Sequence, residues 1–321
     1  MADAPPLIIL GVRRSGTTLL RVMLDRHSQL AVPDESYFIP QIADRHRGRI
    51  DVDVFLDDLR RLPTLRDWEI DLETVRARLD PGATAAEGIS AVYDAYASRH
   101  GKTRWGDKTP MYMQHLRLLE QLFPQARFVH LVRDGRDAAL SFLAVPAGIM
   151  TEGFGHPRNA AGFACQWRTE VEDARALGRR VGPARFLEVR YEHLVADAEA
   201  SLRRICDFAG LSFESTMLDY PASVDLSAKP HQQSLAKAPT PGLRNWRTQM
   251  APADVSAFER IAGDVLASLG YELAGGKPQR APGPEARLAL LSYRAKTATW
   301  RAAGRAVRRL PLWRRRHPHL V

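Results

Sequence analysis

The chain has 321 residues, 45% of them hydrophobic and 26% charged, enough for one large α/β domain with a filled core or two small ones. Two cysteines, Cys165 and Cys206, exclude a disulfide framework, and no apolar run approaches the roughly 18 residues of a membrane span. The formal charge of +9 belongs to the C-terminus: Lys277 to Val321 carries twelve Lys/Arg against Glu285 alone, while residues 1–276 hold 34 basic and 36 acidic residues and are not a nucleic-acid binder.

The first element is an apolar run, Leu7-Ile8-Ile9-Leu10, that ends at Gly11. After Val12-Arg13-Arg14-Ser15-Gly16-Thr17-Thr18 the pattern changes: Leu19, Val22, Met23 and Arg26 have helical spacing. Strand, glycine loop and helix make a phosphate cradle. Loop N–H groups and the unpaired N–H groups of the helix start converge where the dipole favours an anion. Gly11 and Gly16 keep the spacing of the G-x-x-x-x-G-K-[ST] nucleotide loop, but Thr17 stands where its lysine would be. The positive charge comes earlier, on Arg14 with Arg13 beside it, and Thr17 and Thr18 are read as helix caps. Such a loop suits a phosphate or sulfate ester better than a magnesium-bound triphosphate.

Ala31 to Ser36 reads as a short extended piece returning near this loop. From Ile39 to about Gly101 the pattern is helical, through Val52, Phe55, Leu56 and Leu59, then Leu72, Val75 and Leu79, then Ile89, Val92, Tyr93 and Tyr96. Nothing there has metal or nucleophile spacing. Trp105-Gly106-Asp107-Lys108-Thr109-Pro110 places Lys108 in a loop before a helix from His115 to Leu122. Ala126 to Val132 is a second parallel-type strand, in which His130 reads as a packed histidine. It runs into Arg133-Asp134-Gly135-Arg136-Asp137, with Asp134 capping a helix that carries Ser141 two turns along. Arginine suits a phosphate because its donors are forked.

Gly148 to Arg158 is a glycine-rich loop with the composition of a lid. A helix follows from Asn159 to Arg179, with Phe163, Trp167, Val171 and Ala174 on one face and Cys165 buried. Arg185 to Val189 is a third strand, leading to Arg190-Tyr191-Glu192-His193-Leu194. Asp197 starts a helix that Gly210 stops; Ser212 to Asn245 is irregular; Ala253 to Leu269 is a helix closed by Gly270. Beyond a linker at Gly275 to Pro284, Arg287, Arg294, Arg301 and Arg308 recur every seven residues, beside Leu290, Tyr293, Trp300 and Val307. A basic helix with such an edge can lie on an anionic membrane surface. A solvated or disordered tail is the equal alternative.

Arg14-Ser15-Gly16-Thr17-Thr18 resembles the 5′-phosphosulfate loop of sulfotransferases that use 3′-phosphoadenosine 5′-phosphosulfate (PAPS). Gly11 to Glu35, with Met23-Leu24-Asp25-Arg26-His27 and Asp34-Glu35-Ser36, is most similar to the protein-tyrosine sulfotransferase branch and its bacterial relatives. Lys108-Thr109-Pro110, Arg133 with Ser141 eight residues later, and Arg190-Tyr191-Glu192-His193-Leu194 follow in the family's order, so the resemblance covers roughly residues 7–270.

It implies an α/β fold, a P-loop-type, mostly parallel sheet with helices on both faces. The domain would occupy residues 1–276, with 39–101 shaping the acceptor pocket, and 277–321 would be linker and basic amphipathic tail. The implied cofactor is PAPS, leaving adenosine 3′,5′-bisphosphate, with no metal. Arg14, Ser15, Gly16, Thr17 and Thr18 would hold the 5′-phosphate and sulfate, Arg133 and Ser141 the 3′-phosphate, and Tyr191 the cofactor. Ser234 would direct a loop hydroxyl at the sulfate. Trp246 matches a loop anchor, but Asn245 stands where the family has a basic residue, a role open to Arg244, Arg247 or Lys237. Glu35 matches the base, Lys108 the lysine near the bridging oxygen, and Arg14 would share the developing charge with Lys108.

The expected reaction is in-line transfer of a sulfuryl group to a hydroxyl of a tyrosine, carbohydrate, glycolipid or secondary metabolite. Expected partners are that acceptor and, through the tail, a membrane surface, but no nucleic acid; a homodimer stays open. The short acidic start reads as no secretory leader, and the two cysteines suit a reducing cytoplasm, with the inner membrane face as a peripheral site. An ATP-dependent small-molecule kinase would share the sheet but not the missing lysine. A non-enzymatic membrane-associated protein has only the tail in its favour.

Overall fold

The computed structural model describes residues 4–145, 157–220, 244–276 and 281–308. Five strands, β1 (Leu7–Leu10), β2 (Leu30–Ala31), β3 (Arg104–Asp107), β4 (Arg127–Val132) and β5 (Phe186–Arg190), form one sheet in the order β2-β3-β1-β4-β5. Every pairing is parallel, so each connection must cross over a face. The apolar run of β1 is buried throughout because it lies at the centre. Ile8, Leu10 and Phe128 enter one core, while Leu7, Ile9, Val129 and Leu131 enter the other. The sheet is covered on both faces.

The helices are α1 (Thr17–Asp25), α2 (Ile39–Arg45), α3 (Val52–Arg60), α4 (Pro63–Asp67), α5 (Leu72–Arg76), α6 (Ala85–Arg99), α7 (Leu116–Leu122), α8 (Gly135–Leu143), α9 (Ala160–Val181), α10 (Tyr191–Ala196), α11 (Ala198–Ala209), α12 (Trp246–Gln249), α13 (Pro252–Ser268) and α14 (Pro284–Arg308). α1 and α11 cover one face, through Leu20, Met23 and Leu24 and through Leu202, Ile205 and Cys206. On the other, α2 to α6 wrap an aromatic group in which Tyr93 stacks on Trp105 of β3 with ring centroids 4.4 Å apart. The helical region at 39–101 is therefore fused to the sheet. Three of its helices, α3, α5 and α6, start on side-chain caps, Asp51, Asp71 and a Thr84–Glu87 capping box.

A third cluster lies beyond the carboxyl ends of β1 and β4, where Val12 and Val132 meet α8, α9, α12 and α13. α14 joins it through Ala286, Leu290 and Tyr293, and Arg294 pairs with Glu172 of α9 at 3.0 Å. Leu290 and Tyr293, read from sequence as part of a membrane-facing edge, are thus used in docking, while Trp300 of that edge is exposed, as are Leu288 and Leu291 on the same helix. No helix among the described residues is long and apolar enough to cross a membrane. Most of the Gly148–Arg158 loop lies outside the described residues.

β3 differs from expectation. Its four residues include Arg104, Gly106 and Asp107, so it has no apolar run to betray it. Gly106 is needed there, since a Cβ would sit 2.6 Å from the Leu7 carbonyl oxygen of the neighbouring strand. Lys108 follows directly on the end of this buried strand.

Candidate active site

The loop after β1 is built by close approach. A Cβ at Gly11 would meet Thr17 Cγ2 at 2.6 Å and the Leu131 carbonyl oxygen at 2.8 Å, so only hydrogen fits. Arg14 and Gly16 both take the left-handed region, φ 70° and 89°, and turn the chain into α1. The N-cap is Gly16, with no side-chain cap, which corrects the reading of Thr17 and Thr18 as caps. These two are the first residues of the helix. Thr17 is buried, and Thr18 Oγ1 accepts from Lys108 Nζ at 3.3 Å.

One side of the loop gathers cations. Arg14 Nε donates to Ser141 Oγ at 3.1 Å, and Arg133 Nη1 donates to the Arg14 carbonyl at 3.2 Å. The Arg133 guanidinium lies 4.5 Å from the centre of the Tyr191 ring. Gly16 admits that ring, because a Cβ there would meet Tyr191 Cδ2 at 2.4 Å. Burial, then the charges of Arg133 and Arg244, lower the Arg14 pKa, so three arginines feel one another here. Ser15 Oγ and Arg133 Nε are buried without a partner among the described residues. Like charges and orphaned donors at a helix start fit an anionic group. The separate phosphate roles read for Arg14 and Ser141 meet, since the two side chains are bonded to each other.

Trp246 anchors the segment beyond: its backbone N–H donates to Asp137 Oδ1 at 2.7 Å. Asn245 caps α12 by accepting from the Arg247 N–H, a role no basic residue could fill. Arg247 stacks on Trp246 and pairs with Glu272, which leaves Arg244 as the described basic residue whose charge reaches Arg14. Ser234 and Lys237 lie outside the described residues.

The other side of the loop holds a carboxylate and an ammonium. Glu35, on the piece after β2, accepts from Lys108 Nζ at 2.5 Å and from the Tyr37 hydroxyl. Lys108 is 2% exposed, and burial lowers its pKa against the opposing pull of Glu35. Beneath them is a buried polar knot. Ser36 Oγ donates to Asp107 Oδ2 at 2.8 Å, and the Tyr93 hydroxyl donates to the same oxygen at 2.7 Å. Ser36 Oγ also meets Tyr112 Oη at 2.6 Å, and the Ser36 N–H donates to Thr109 Oγ1 at 3.0 Å. Burial pushes the Asp107 carboxyl up to about 6, against these hydrogen bonds. Because Ser36 follows Glu35 and Asp107 precedes Lys108, the knot fixes both chain segments. Tyr37, Ser36 and Asp107 were not found from sequence; adjacency to Glu35 and Lys108 was their one signal. His130 is fully buried in the sheet, its Nδ1 3.2 Å from Glu188 Oε2.

A model of the Sulfotransferase family matches residues 5–215. The chain belongs to the sulfotransferase family. This sulfotransferase is 27% identical over 279 residues to protein-tyrosine sulfotransferase 2 of Gallus gallus, covering 84% of this chain and 67% of that one. It is 27% identical over 296 residues to nodulation protein NoeE of Sinorhizobium fredii, covering 83% and 66%. Among solved structures it resembles the sulfotransferase domain of the Synechococcus PCC 7002 olefin synthase, at 29% identity and a TM-score of 0.57, over 84% of this chain and 95% of that domain. Sulfotransferase and kinase share a sheet, and these matches decide for the sulfotransferase. It is an enzyme of sulfuryl transfer.

Proposed function

We propose that this sulfotransferase takes its sulfuryl group from PAPS and delivers it to a hydroxyl, with Glu35 as the base. The observation that carries the reading is the Glu35–Lys108 pair seated on Thr18, at the start of the helix that follows the phosphate-type loop. The residues present fit the donor: orphaned Ser15 Oγ and Arg133 Nε, and the cluster of Arg14, Arg133 and Arg244, need anions and have Tyr191 as a flat wall. Arg14 to Thr18 would hold the 5′-phosphate and sulfate, and Arg133 with Ser141 the 3′-phosphate.

When bound, PAPS supplies an activated sulfuryl group and leaves as adenosine 3′,5′-bisphosphate. A hydroxyl is a poor nucleophile at neutral pH, so Glu35 takes its proton as the oxygen attacks. Lys108 and Arg14 offset the negative charge that gathers on the sulfuryl and bridging oxygens. Lys108 does so from a dry position, where its charge acts through a low dielectric. The acceptors in view are the tyrosine, carbohydrate, glycolipid and secondary-metabolite hydroxyls.

Glu35→Gln tests the role. The variant is expected to keep its stabilisation by adenosine 3′,5′-bisphosphate and to lose about a hundredfold or more in bisphosphate release from PAPS with phenolic or sugar acceptors. Unchanged turnover would remove Glu35 from the mechanism.

A further inference from the structure

Glu35 has two carboxylate oxygens, and both are occupied. Lys108 Nζ donates to Oε1 at 2.5 Å, and the Tyr37 hydroxyl donates to Oε2. If Glu35 is the base, Oε1 faces the ammonium that offsets charge at the sulfuryl group, and Oε2 is the oxygen left for an acceptor's proton. A hydroxyl of the acceptor class already stands there. Tyr37 holds it in place at φ 57°, a left-handed conformation that is unfavourable for a non-glycine residue. The residue is 43% exposed, so the ring can shift without opening a core.

We propose that Tyr37 is an internal acceptor and therefore a modification site: with the donor bound and no external acceptor present, the enzyme sulfates its own Tyr37. The inference rests on the reading of Glu35 as base and PAPS as donor. The phenol oxygen forms a bond to sulfur, the bond from sulfur to the bridging phosphate oxygen breaks, and the phenol proton passes to Glu35 Oε2. The products are an aryl sulfate ester on Tyr37 and adenosine 3′,5′-bisphosphate. The base is required, because partial burial of the ring and the charge of Glu35 hold the phenol's pKa above its ordinary value. Arg13 is the cation whose field reaches this phenol, and it would offset the new ester's charge. An enzyme so modified carries an anion beside Glu35, and would turn over external acceptors slowly.

The test incubates the full chain with PAPS and no acceptor, followed by intact mass and peptide mapping, with thermal unfolding in adenosine 3′,5′-bisphosphate alongside. The expected result is a gain of one SO3 group, mapped to Tyr37, absent in Tyr37→Phe and slowed about a hundredfold or more in Glu35→Gln. Ultraviolet titration of the phenols gives a readout free of turnover: Glu35→Gln should lower the titration of one tyrosine, and Tyr37→Phe should remove that tyrosine. Stabilisation by the bisphosphate with no SO3 gain, or with the gain on another residue, would overturn the inference and leave the donor reading standing. Absence of both stabilisation and modification would overturn the two together.

Discussion

At the scale of single residues, the site depends on positions where one atom too many would not fit. Gly16 supplies a left-handed turn and at the same time leaves room for the Tyr191 ring, on which Arg133 rests. Away from the loop, Glu188 shows how charge is held. Burial alone would raise its carboxyl, but hydrogen bonds from His130 and Arg175 outweigh that and bring it down to about 2 from 4.5. A depressed acid stabilises the fold fully above its unfolded value, and that contribution is lost as pH falls from about 4.5 toward 2. The difference corresponds to on the order of 3 kcal/mol. Glu188→Gln should therefore lower the urea midpoint at neutral pH, and the gap to the parent should close as pH approaches 2. A gap that does not change with pH would assign the loss to packing.

At the scale of elements, α8 is tied to the C-terminal helices by a side chain that sequence reading passed over. Arg136 is fully buried, forks onto Asp134 at 3.0 and 2.7 Å, donates to Glu259 Oε1 at 2.5 Å and to the Glu272 carbonyl at 2.8 Å, and lies 3.6 Å over the Trp246 ring. Arg136→Met would strand two carboxylates, at a cost of about 3–5 kcal/mol in denaturant unfolding. Arg136→Lys should not rescue it, since one ammonium cannot replace the fork. A neutral effect of either would show that the network does not hold these helices. The elements legible in the sequence were those with a local signature: the apolar runs of β1 and β4, the glycine loop between β1 and α1, and the periodic faces of α9 and α11. β3 was hidden because its buried place comes from its neighbours, not from its own polar residues. Glu35, Lys108, Arg133, Ser141 and Tyr191 were found through motif resemblance, and the structure brings each to the loop. The Ser36–Asp107 knot was not legible, because long-range folding alone makes its members neighbours, and Tyr37, though two residues from Glu35, had no motif to mark it.

At the scale of the whole molecule, the sheet order puts β1 between β3 and β4, and this places Lys108, the loop and Arg133 in a row at the carboxyl ends of three adjacent strands. The tail begins as a helix docked on α9 and α13, so at least its first turns belong to the folded body. Under the proposed function, this row of residues receives the donor's nucleotide. Thermal unfolding of the full chain, with adenosine 3′,5′-bisphosphate compared with ATP plus magnesium, tests it most directly. At about a hundred times its dissociation constant a ligand adds roughly 2.7 kcal/mol, which moves the midpoint by several degrees. That shift is expected with the bisphosphate and no metal. A shift with ATP and magnesium alone would contradict it.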